Sequence, residues 1–569
     1  MASFYDVREF SDIREMIDQS VELFPDRNAF EIKRANEHFN ITYKEYYEDI
    51  NGLVTALVND GFDGNSIAVC ANNCYEYCLS YLAVICSGNV IVPVDKELHE
   101  EDIIGILRTS KSKILICDSF FTDRIDISKL GDIRVMTIDC DLTAKGAEKF
   151  ADYVAKGKEL NASGKTLWRD VKQDPDRLCT LLFTSGTTGT SKGVMLCQNN
   201  FVFEIKAAMK VVKIYPEDCG ISMLPLHHTF ESSIIIFFAV YCGAKVTFCE
   251  GFKYVLRNMA EFSPSVFVAV PLLLETVHKR LMKAVAKKSH GIMKFRIGSA
   301  VGKAAGKFGI DLKKVLFKEI QDTFGGNMRL IICGGAPIDP QIIKDFDAFG
   351  IQVIFGYGLT ECAPLAIINN DFVRSTDSIG VPLPGVEAKI IDEDENGIGE
   401  LCVKGGMVMK GYYENPEATA EVIDEDGFFH TGDLGYVDEK GHYHITGRSK
   451  NVIVTSNGKN IYPEELEYHL CRSDFIASAL VEGKVDDHGD LTVHAQIYPD
   501  KSEIKEFLDK EPSDDEVRAI VKRAIDEVNK KIPPFKKIKS FYVRTTEFVM
   551  TTTQKIKRSD SGNKEEKDA

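Results

Sequence analysis

Apolar strand patterns alternate with helical patterns along most of this chain, and this alternation limits the fold more than any other feature. In residues 11–130 the segment IREMIDQSVELF has helical periodicity, and ALVNDGFDGNSIAVCANN has the pattern of a helix, a turn and a strand. The alternation returns further along the chain, between GISMLPL and MRLIICGGAP. Because strands connected through helices usually pair in parallel, the pattern predicts an α/β protein whose large N-terminal part contains two βα-layered subdomains.

The chain has 569 residues, too many for one hydrophobic core, and its pattern changes twice towards the C-terminus. From about residue 378, Gly and Pro separate short alternating runs, which predicts a small β-barrel or a small antiparallel sheet. The second change lies at GRSKN, residues 447–451, where charged and small residues interrupt the strands. We therefore predict an N-terminal domain at 1–447, a connection at 448–450, a small α+β domain at 451–558 with helices near 463–471 and 514–531, and a disordered polar tail at 559–569.

The composition argues against several classes of protein. A formal charge of -17 argues against general nucleic-acid binding. The charged N-terminal residues lack the apolar core of a signal peptide, and no apolar run reaches the ~20 residues of a membrane-spanning helix. The 15 cysteines include no C-x-x-C pair, which is typical of thiols in a reducing compartment. We therefore expect a cytoplasmic protein without a transmembrane segment, and a peripheral position at a membrane stays open.

The segment FTSGTTGTSKGVML, residues 183–196, combines glycines, hydroxyls and one lysine between two strand patterns. Glycines allow backbone N–H groups to approach an anion, and hydroxyls add uncharged donors. The segment does not match the P-loop pattern, because only two residues separate Gly189 from Lys192 and Gly193 follows the lysine. A flexible glycine-rich linker is the alternative, but the apolar flanks favour a hairpin that binds phosphate.

Further motifs follow along the chain, in the order GGAP at Gly334–Pro337, GYGLTECAP from Gly356, HTGD ending at Asp433, GRSKN, SNGKNIYPEELE and TTTQKIKR at Thr551–Arg558. Together they resemble the motifs of the adenylate-forming superfamily, which contains acyl-CoA synthetases, nonribosomal-peptide adenylation domains and firefly luciferase. The likeness runs from roughly residue 12 to 558. LPLHHTFE, TTTQKIKR and Ser191 are similar to the long-chain fatty acyl-CoA synthetases.

This resemblance implies an acid-thiol ligase that uses ATP, Mg²⁺ and CoA. The enzyme would convert a medium- to long-chain fatty acid to acyl-AMP with release of pyrophosphate, and would then transfer the acyl group to CoA. HHTFE has no aspartate at which relatives that activate amino acids would hold the substrate ammonium, which favours an acid without an α-amine. Two alternatives stay open: an enzyme that loads an acyl carrier protein, and a nucleotide-binding protein without catalytic activity.

The resemblance also assigns residues to the parts of the nucleotide. The phosphate loop, which would grip the β- and γ-phosphates, comprises Thr184, Ser185, Gly186, Thr187, Thr188, Gly189 and Lys192. The adenine would stack on Tyr357, next to Gly358, and would be lined on its other side by Gly335, Ala336 and Pro337. The ribose hydroxyls would donate hydrogen bonds to Asp433, beside Arg448.

Activation of a carboxylic acid by ATP brings the carboxylate close to the α-phosphate, and both groups are anions. Two unit charges about 4 Å apart repel by roughly 4 kcal/mol at an effective dielectric constant near 20. Cations are therefore required, and the resemblance implies that Lys555 bridges the attacking carboxylate and the α-phosphate. Glu361 would bind Mg²⁺, Thr360 would contact the α-phosphate, and His228 would lie near the substrate carboxylate. The sequence departs from the common P-x-T-x-x-G-K pattern at Val549 and Gln554.

In the family, the small domain rotates between the two half-reactions. The resemblance implies a hinge at Lys450 and a pantetheine tunnel formed partly by TSNGKN, which contains Gly458 and Lys459. The C-terminal domain at 451–558 is therefore expected to be mobile. Lys555 would act in the first half-reaction and withdraw before the second.

One basic segment departs from the acidic composition of the chain. Residues 279–318 contain twelve Lys or Arg residues and a single acid, Asp311. A solvated helical face is one interpretation of this pattern. The alternative is a docking patch for an anionic partner, namely a membrane surface, the CoA phosphates or an acyl carrier protein.

Overall fold

The computed structural model describes residues 4–185, 191–287, 291–306, 312–454, 459–485, 491–551, 555–558 and 560–564. The chain divides into two compact units. The first unit comprises Met1–Glu387 and Val403–Phe429, and the second comprises Ala388–Cys402 and His430–Ala569.

Within the described residues the α-helices are α1 (Ile13–Leu23), α2 (Tyr43–Asn59), α3 (Tyr75–Cys86), α4 (Glu100–Thr109), α5 (Ser119–Thr122), α6 (Phe150–Ala162), α7 (Gln198–Met209), α8 (Thr229–Ser232), α9 (Ala239–Cys242), α10 (Val255–Phe262), α11 (Pro271–Ala286), α12 (Gly291–Gly306), α13 (Lys313–Leu316), α14 (Lys318–Thr323), α15 (Pro340–Ala348), α16 (Pro416–Ala420), α17 (Pro463–Cys471), α18 (Lys501–Leu508) and α19 (Asp514–Lys531). A π-helix at Ser233–Phe238 joins α8 to α9.

The strands of the same residues are β1 (Asn28–Arg34), β2 (Glu37–Thr42), β3 (Ser66–Cys70), β4 (Val90–Pro93), β5 (Ile114–Cys117), β6 (Arg134–Thr137), β7 (Glu148–Lys149), β8 (Leu178–Ser185), β9 (Ser191–Cys197), β10 (Cys219–Ser222), β11 (Lys245–Phe248), β12 (Val266–Ala269), β13 (Leu330–Gly334), β14 (Gln352–Gly358), β15 (Leu365–Ile368), β16 (Val381–Pro382), β17 (Glu387–Ile391), β18 (Gly399–Lys404), β19 (Gly411–Tyr412), β20 (Phe429–Val437), β21 (Tyr443–Arg448), β22 (Ile453–Val454), β23 (Asn460–Ile461), β24 (Ile476–Val485), β25 (Leu491–Pro499) and β26 (Ile538–Val543).

Two mostly parallel sheets form the first unit, which confirms the predicted pair of βα layers. One sheet has the order β16-β15-β14-β13-β12-β10-β11-β1-β2, and its six central strands β14, β13, β12, β10, β11 and β1 run parallel. The other has the order β19-β9-β8-β4-β3-β5-β6-β7, with antiparallel β9 and β19 at one edge. Strands such as β5, ILIC, are buried throughout, as expected for a sheet that is covered on both faces.

Parallel pairing places the ends of successive strands at one edge of the larger sheet. In β13 and β14 the register joins Leu330 to Gln352 and Gly334 to Gly356. The loops that follow these two strands therefore leave the sheet side by side. Ligands of open α/β sheets commonly bind at this carboxyl edge.

The second unit contains a four-stranded sheet, β17-β18-β20-β21, in the region where the sequence predicts a small barrel or antiparallel sheet. It also contains a three-stranded sheet, β24-β25-β26, whose core packs with α17 and α19. Helices α17 and α19 match the predicted ranges. α19 begins with a capping box in which Ser513 and Glu516 each bond the other's backbone N–H, and it ends with Lys530 and Lys531.

The compact units divide the chain before the predicted connection at 448–450. The reason is that β18 pairs with β20, so residues 388–402 belong to the same sheet as the strands that lead to Arg448. Part of the predicted tail is packed, because Ser561–Asn563 forms a 3-10 turn and Asn563 is buried. Residues 565–569 and Ser559 of that tail lie outside the described residues.

In the described part of the chain, the helices are all too short or too polar to cross a lipid bilayer.

Candidate active site

The glycine-rich segment lies in a hairpin of the first unit. β8 and β9 pair with Thr184 opposite Lys192 and Phe183 opposite Gly193, and Ser191 Oγ donates to the Thr184 carbonyl at 3.1 Å. This geometry confirms the strand patterns on both sides of the segment. The phosphate-loop residues Gly186, Thr187, Thr188 and Gly189 and the side chain of Ser185 lie outside the described residues.

Lys192 and Glu361 meet at one tyrosine that the motifs did not indicate. The Lys192 ammonium lies 4.8 Å from the centroid of the Tyr412 ring, and Tyr412 Oη donates to Glu361 Oε1 at 2.9 Å. Strand β19 pairs with β9, with Tyr412 opposite Val194, and this pairing brings the ring to the base of the hairpin. Burial and the charge of Glu361 raise the pKa of Tyr412, so its hydroxyl stays a neutral donor.

The sequence gives little signal for Tyr412. It stands in GYY after a Gly-rich run, outside every motif used above, and only the non-local pairing of β19 with β9 reveals its position. The contact matters chemically because the phenol joins a cation to a carboxylate. Lys192 and Glu361 are the residues predicted to bind the leaving phosphates and Mg²⁺, respectively.

The GGAP and GYGLTECAP motifs leave the carboxyl edge of the larger sheet side by side, because β13 and β14 are parallel neighbours. Gly335 has a φ of 90°, a left-handed conformation that favours glycine, and Ala336 and Pro337 are exposed after it. Tyr357 is half-buried near the end of β14. The structure therefore brings together the residues predicted to bind adenine.

Gly358 has a structural reason to be glycine. A Cβ atom there would lie 1.8 Å from the Pro364 carbonyl oxygen, because β15 returns close to β14. Thr360 and Glu361 follow in a 3-10 turn, Thr360–Cys362. The Met409 N–H donates to the Glu361 carbonyl at 2.8 Å and fixes the backbone of this turn.

Two histidines precede helix α8, after β10. The rings of His227 and His228 lie 4.4 Å apart between centroids. Burial, with the nearby charge of Lys96, lowers the pKa of His227 to about 3, so this ring is neutral near pH 7. His228 occupies the N-cap position of α8 and is half-buried.

Glu231, three residues beyond His228, is fully buried. Its Oε1 accepts from Ser222 Oγ at 2.9 Å and from the Met223 N–H at 2.8 Å. Burial raises the pKa of Glu231 to about 8, so the carboxyl is mostly protonated near neutral pH. The side chain thus ties the start of α8 to the end of β10, a role that its place in HHTFE did not reveal.

In the second unit, Asp433 and Arg448 form an ion pair. Arg448 Nε lies 2.7 Å from Asp433 Oδ1, and the register of β20 and β21 places the two residues directly opposite each other. Asp433 is buried, and its N–H donates to Thr431 Oγ1 at 3.1 Å. The two residues predicted to bind ribose are therefore neighbours.

Lys555 lies in the same unit, on a segment that pairs with Met550 and Thr551. The Thr551 N–H donates to the Lys555 carbonyl at 2.7 Å, the Lys555 N–H donates to Thr551 Oγ1 at 3.0 Å, and Met550 bridges to Ile556. Although the side chain keeps exposed surface, the surrounding protein atoms desolvate the ammonium and, with the charge of Arg448, lower the pKa of Lys555. Asp433 opposes this shift.

Two contacts anchor the segment that carries Lys555. Arg558 Nη2 donates to both carboxylate oxygens of Glu467 at 2.6 Å, and its Nη1 donates to the Val481 carbonyl at 2.9 Å. Asn563 binds the backbone of Val549 through two hydrogen bonds, of 2.6 and 2.9 Å. The segment is therefore packed against α17 and β24 and is not a solvated basic tail.

Two of the predicted hinge and tunnel residues, Lys450 and Lys459, are exposed. Lys450 lies in a 3-10 turn, Ser449–Asn451, directly after β21. The Lys459 ammonium lies 4.8 Å from the centroid of the Phe535 ring. Gly458 lies outside the described residues.

The α/β fold and the positions of these motifs agree with the class of adenylate-forming enzymes that the sequence resembles. The family model described as AMP-binding enzyme matches residues 17–413, and the AMP-binding enzyme C-terminal domain matches residues 450–567. The chain belongs to the AMP-binding enzyme family.

Similar proteins include enzymes that activate fatty acids. Long-chain-fatty-acid–CoA ligase 5 of Rattus norvegicus is 29% identical over 92% of this chain and 83% of its own length. A chloroplastic long-chain-fatty-acid–[acyl-carrier-protein] ligase of Arabidopsis thaliana is 27% identical over 90% of this chain and 79% of its own. The crystal structure of ATP-bound MatB from Rhodopseudomonas palustris shares the fold, with a TM-score of 0.74, 24% identity, and coverage of 96% and 98% of the two chains.

Proposed function

We propose that this protein is an ATP-dependent fatty acid:CoA ligase that works through an acyl adenylate. The observation that carries the proposal is the contact of Lys192 and Glu361 through Tyr412, beside the glycine-rich hairpin. A cation and a carboxylate at the base of a phosphate-binding turn are what a magnesium–nucleotide complex requires. The choice of fatty acid is supported by the names of the relatives, which span most of this chain.

In the first half-reaction, a carboxylate oxygen of the fatty acid attacks the α-phosphorus, and the bond to the β-phosphate breaks. Lys192 and the hairpin backbone hold the departing pyrophosphate, and Thr360 donates to an α-phosphate oxygen. The adenine lies between Tyr357 with Gly358 and the turn of Gly335, Ala336 and Pro337. Asp433 accepts hydrogen bonds from the ribose hydroxyls, and Arg448 orients its carboxylate.

Glu361 is the residue that would hold Mg²⁺. The donor set fits this ion, because Mg²⁺ is usually bound through one or two carboxylates together with substrate phosphates. When bound, the ion neutralises phosphate charge. The hydrogen bond from Tyr412 orients the carboxylate and does not need the ion.

Lys555 stabilises the charge that develops between the carboxylate and the α-phosphate. In the second half-reaction, the CoA sulfur attacks the acyl carbon, AMP leaves, and the thiol proton passes to solvent. We propose that the C-terminal domain turns about Lys450 between these steps. Lys555 then withdraws, and the segment with Gly458 and Lys459 approaches the pantetheine.

The acyl acceptor has a second candidate, an acyl carrier protein. The specific observation in its favour is the similarity to the Arabidopsis ligase, which carries that acceptor in its name. The basic segment 279–318 suits either acceptor or a membrane surface, because all three are anionic. CoA remains the first candidate for the acyl acceptor. The rat relative, which carries CoA in its name, matches slightly more of this chain than the Arabidopsis ligase does.

The deciding experiment measures ATP–pyrophosphate exchange and AMP release across acids of increasing chain length, with aromatic and amino acids as controls. We expect exchange with fatty acids alone, and AMP release that requires CoA. Acyl transfer only to a carrier protein would replace CoA with the second candidate. A lack of exchange with every acid would favour a nucleotide-binding protein without catalytic activity.

A further inference from the structure

Helix α12 of the first unit turns a row of apolar side chains towards solvent. Met293, Ile297 and Val301 are 54%, 56% and 45% exposed, and they recur at intervals of four residues on one helical face. Arg296 and Ala300, which lie on the same face, are also exposed. Apolar side chains usually turn inward on a surface helix, so this row needs a separate explanation.

The opposite face of α12 is the one that packs. Phe295 lies 5.6 Å from Phe317 and 5.4 Å from Phe349 between ring centroids. A Cβ atom on Gly298 would lie 3.1 Å from Phe317 Cζ, and one on Gly302 would lie 3.2 Å from Lys313 Cγ, so these glycines allow α13 to approach. The helix is therefore fixed to its unit in an orientation that exposes the apolar row.

The neighbouring helix α13 also exposes apolar side chains. Val315 is 76% exposed and Leu316 is 43% exposed. Leu316 Cδ1 lies 3.9 Å from the position of a Cβ on Gly302, so α13 packs on the face of α12 that is opposite to Met293, Ile297 and Val301. We call Met293, Ile297 and Val301 the apolar row.

The segment that contains the apolar row has a charge opposite in sign to that of the whole molecule. Residues 279–318 carry twelve basic residues and one acid, whereas the chain has a formal charge of -17. Arg280, Lys287, Arg296 and Lys318 are exposed within this segment. An anionic surface would repel most of the protein and attract this segment.

We propose that the apolar row and the exposed cations of the same segment form a docking surface for an anionic lipid bilayer. A helix that lies in the membrane interface buries an apolar face near the headgroups and keeps cations beside them. The CoA phosphates would need only the cations and would leave the apolar row exposed. The surface would bring the enzyme to the phase in which long-chain acids dissolve, but bilayer binding does not depend on the ligase activity.

Vesicle co-sedimentation tests the proposal without any turnover. The full-length protein is mixed with vesicles of phosphatidylcholine alone or with one third phosphatidylglycerol. We expect binding to the anionic vesicles that weakens as salt is raised, because screening shortens the reach of the charges. No binding to the anionic vesicles, or equal binding to both kinds, would overturn the proposal.

Substitutions test whether the apolar side chains of α12 contribute to vesicle binding more than exposed apolar side chains elsewhere on the protein. Met293→Ser, Ile297→Ser and Val301→Ser, combined, should reduce anionic vesicle binding about tenfold or more, since each removes apolar area that the interface would bury. A matched control combines Leu23→Ser, Phe39→Ser and Phe507→Ser, which are also exposed, and should bind like wild type. Loss in both triple variants would overturn the assignment to α12.

A second set of experiments tests the contribution of the cations and the alternative partner, an acyl carrier protein. Arg280→Glu, Lys287→Glu and Lys318→Glu, combined, should also abolish binding to anionic vesicles. Thermal unfolding and turnover of a short, water-soluble fatty acid should remain at wild-type levels in the α12 triple variant, which separates docking from folding and catalysis. If this variant instead lost affinity for an acyl carrier protein and kept vesicle binding, the surface would be a protein-docking site and the proposal would be wrong.

Discussion

Tyr412 contacts both charged groups of the first unit's site, and its hydroxyl is the part that reaches Glu361. Tyr412→Phe keeps the ring below Lys192 and removes only this donor. A hydrogen bond to a charged group contributes about 1.5–3 kcal/mol, so we expect ATP–pyrophosphate exchange to fall by about tenfold to 100-fold, with a higher KM for magnesium–ATP. Initial rates at varied nucleotide and magnesium concentrations measure the effect.

The adjacent residue supplies the control for this substitution. Tyr413→Phe removes a hydroxyl on the neighbouring side chain, whose ring lies 5.9 Å from the Lys111 ammonium. We expect exchange within about twofold of wild type, because no bond to Glu361 is lost. Equal losses in both variants would remove Tyr412 from the site.

Because burial raises the pKa of the Glu231 carboxyl, we predict that the free energy of unfolding depends on pH. This pKa is raised from 4.5 to about 8 in the folded protein, so the unfolded carboxyl ionises first as pH rises. The unfolded state then binds fewer protons than the folded state between these values, and stability falls by up to about 1.4 kcal/mol per pH unit. Glu231→Gln, which cannot ionise, should flatten this part of the profile.

Urea unfolding of the wild type and the variant at pH 5, 6, 7 and 8 measures the difference between the two profiles. The fully solvated control is Glu217→Gln, because Glu217 lies at the surface and pairs only loosely with Arg27. Its profile should run parallel to that of wild type. Parallel profiles for Glu231→Gln would mean that the buried carboxyl is already ionised near neutral pH.

At the scale of elements, the segment that carries Lys555 depends on the anchor between Arg558 and Glu467. Arg558→Met should let this segment shift, and a displacement of about 1 Å in a catalytic group can cost 100-fold in rate. We therefore expect acyl-AMP formation to fall at least about tenfold. Lys557→Met removes a neighbouring charge without this anchor and should change the rate by less than about twofold.

Stability must be measured beside the rate, because Glu467 is buried and loses its partner in Arg558→Met. Burial already raises the pKa of Glu467 to about 7, although Arg558 lowers it. If acyl-AMP formation and thioester formation from supplied acyl-AMP fell equally, together with the melting temperature, the anchor would serve folding only.

The same elements explain what the sequence can predict. β8, β9, α17 and α19 can be predicted because each has a local signal. The two strands have apolar runs on either side of a glycine-rich segment, and the structure shows that α17 begins at Pro463 and that Ser513 and Glu516 cap α19. Tyr412 was not predicted, because it reaches Glu361 through the pairing of β19 with β9, which are more than 200 residues apart. The outward face of α12 also had no local signal beyond its positive charge.

The division of the chain into two compact units also shows that local sequence patterns do not predict non-local strand pairing. The boundary near residue 447 followed from a local change of pattern, whereas β18 joins the second unit by pairing with β20, about 30 residues later. The residues proposed to bind substrates are divided as well: Lys192, Glu361 and Tyr357 belong to the first unit, and Asp433 and Lys555 belong to the second.

This division predicts opposite effects for two substitutions in the second unit. Lys555→Ala should lower acyl-AMP formation about 100-fold or more, because a preorganised charge in the transition state is lost, yet thioester formation from supplied acyl-AMP should continue. Lys450→Pro should slow thioester formation more than acyl-AMP formation, because a fixed φ stiffens the turn after β21. Rapid-quench assays of each half-reaction measure both effects.

The pair of variants is informative because each serves as the control for the other. A defect in expression or folding would lower both half-reactions in both variants, whereas alternation of the C-terminal domain lowers a different one in each. Ser449→Pro, one residue earlier in the same turn, tests whether the effect belongs to Lys450. If normal thioester formation persisted in Lys450→Pro, the hinge would lie elsewhere; if Lys555→Ala lost both half-reactions equally, the lysine would not act in the first step alone.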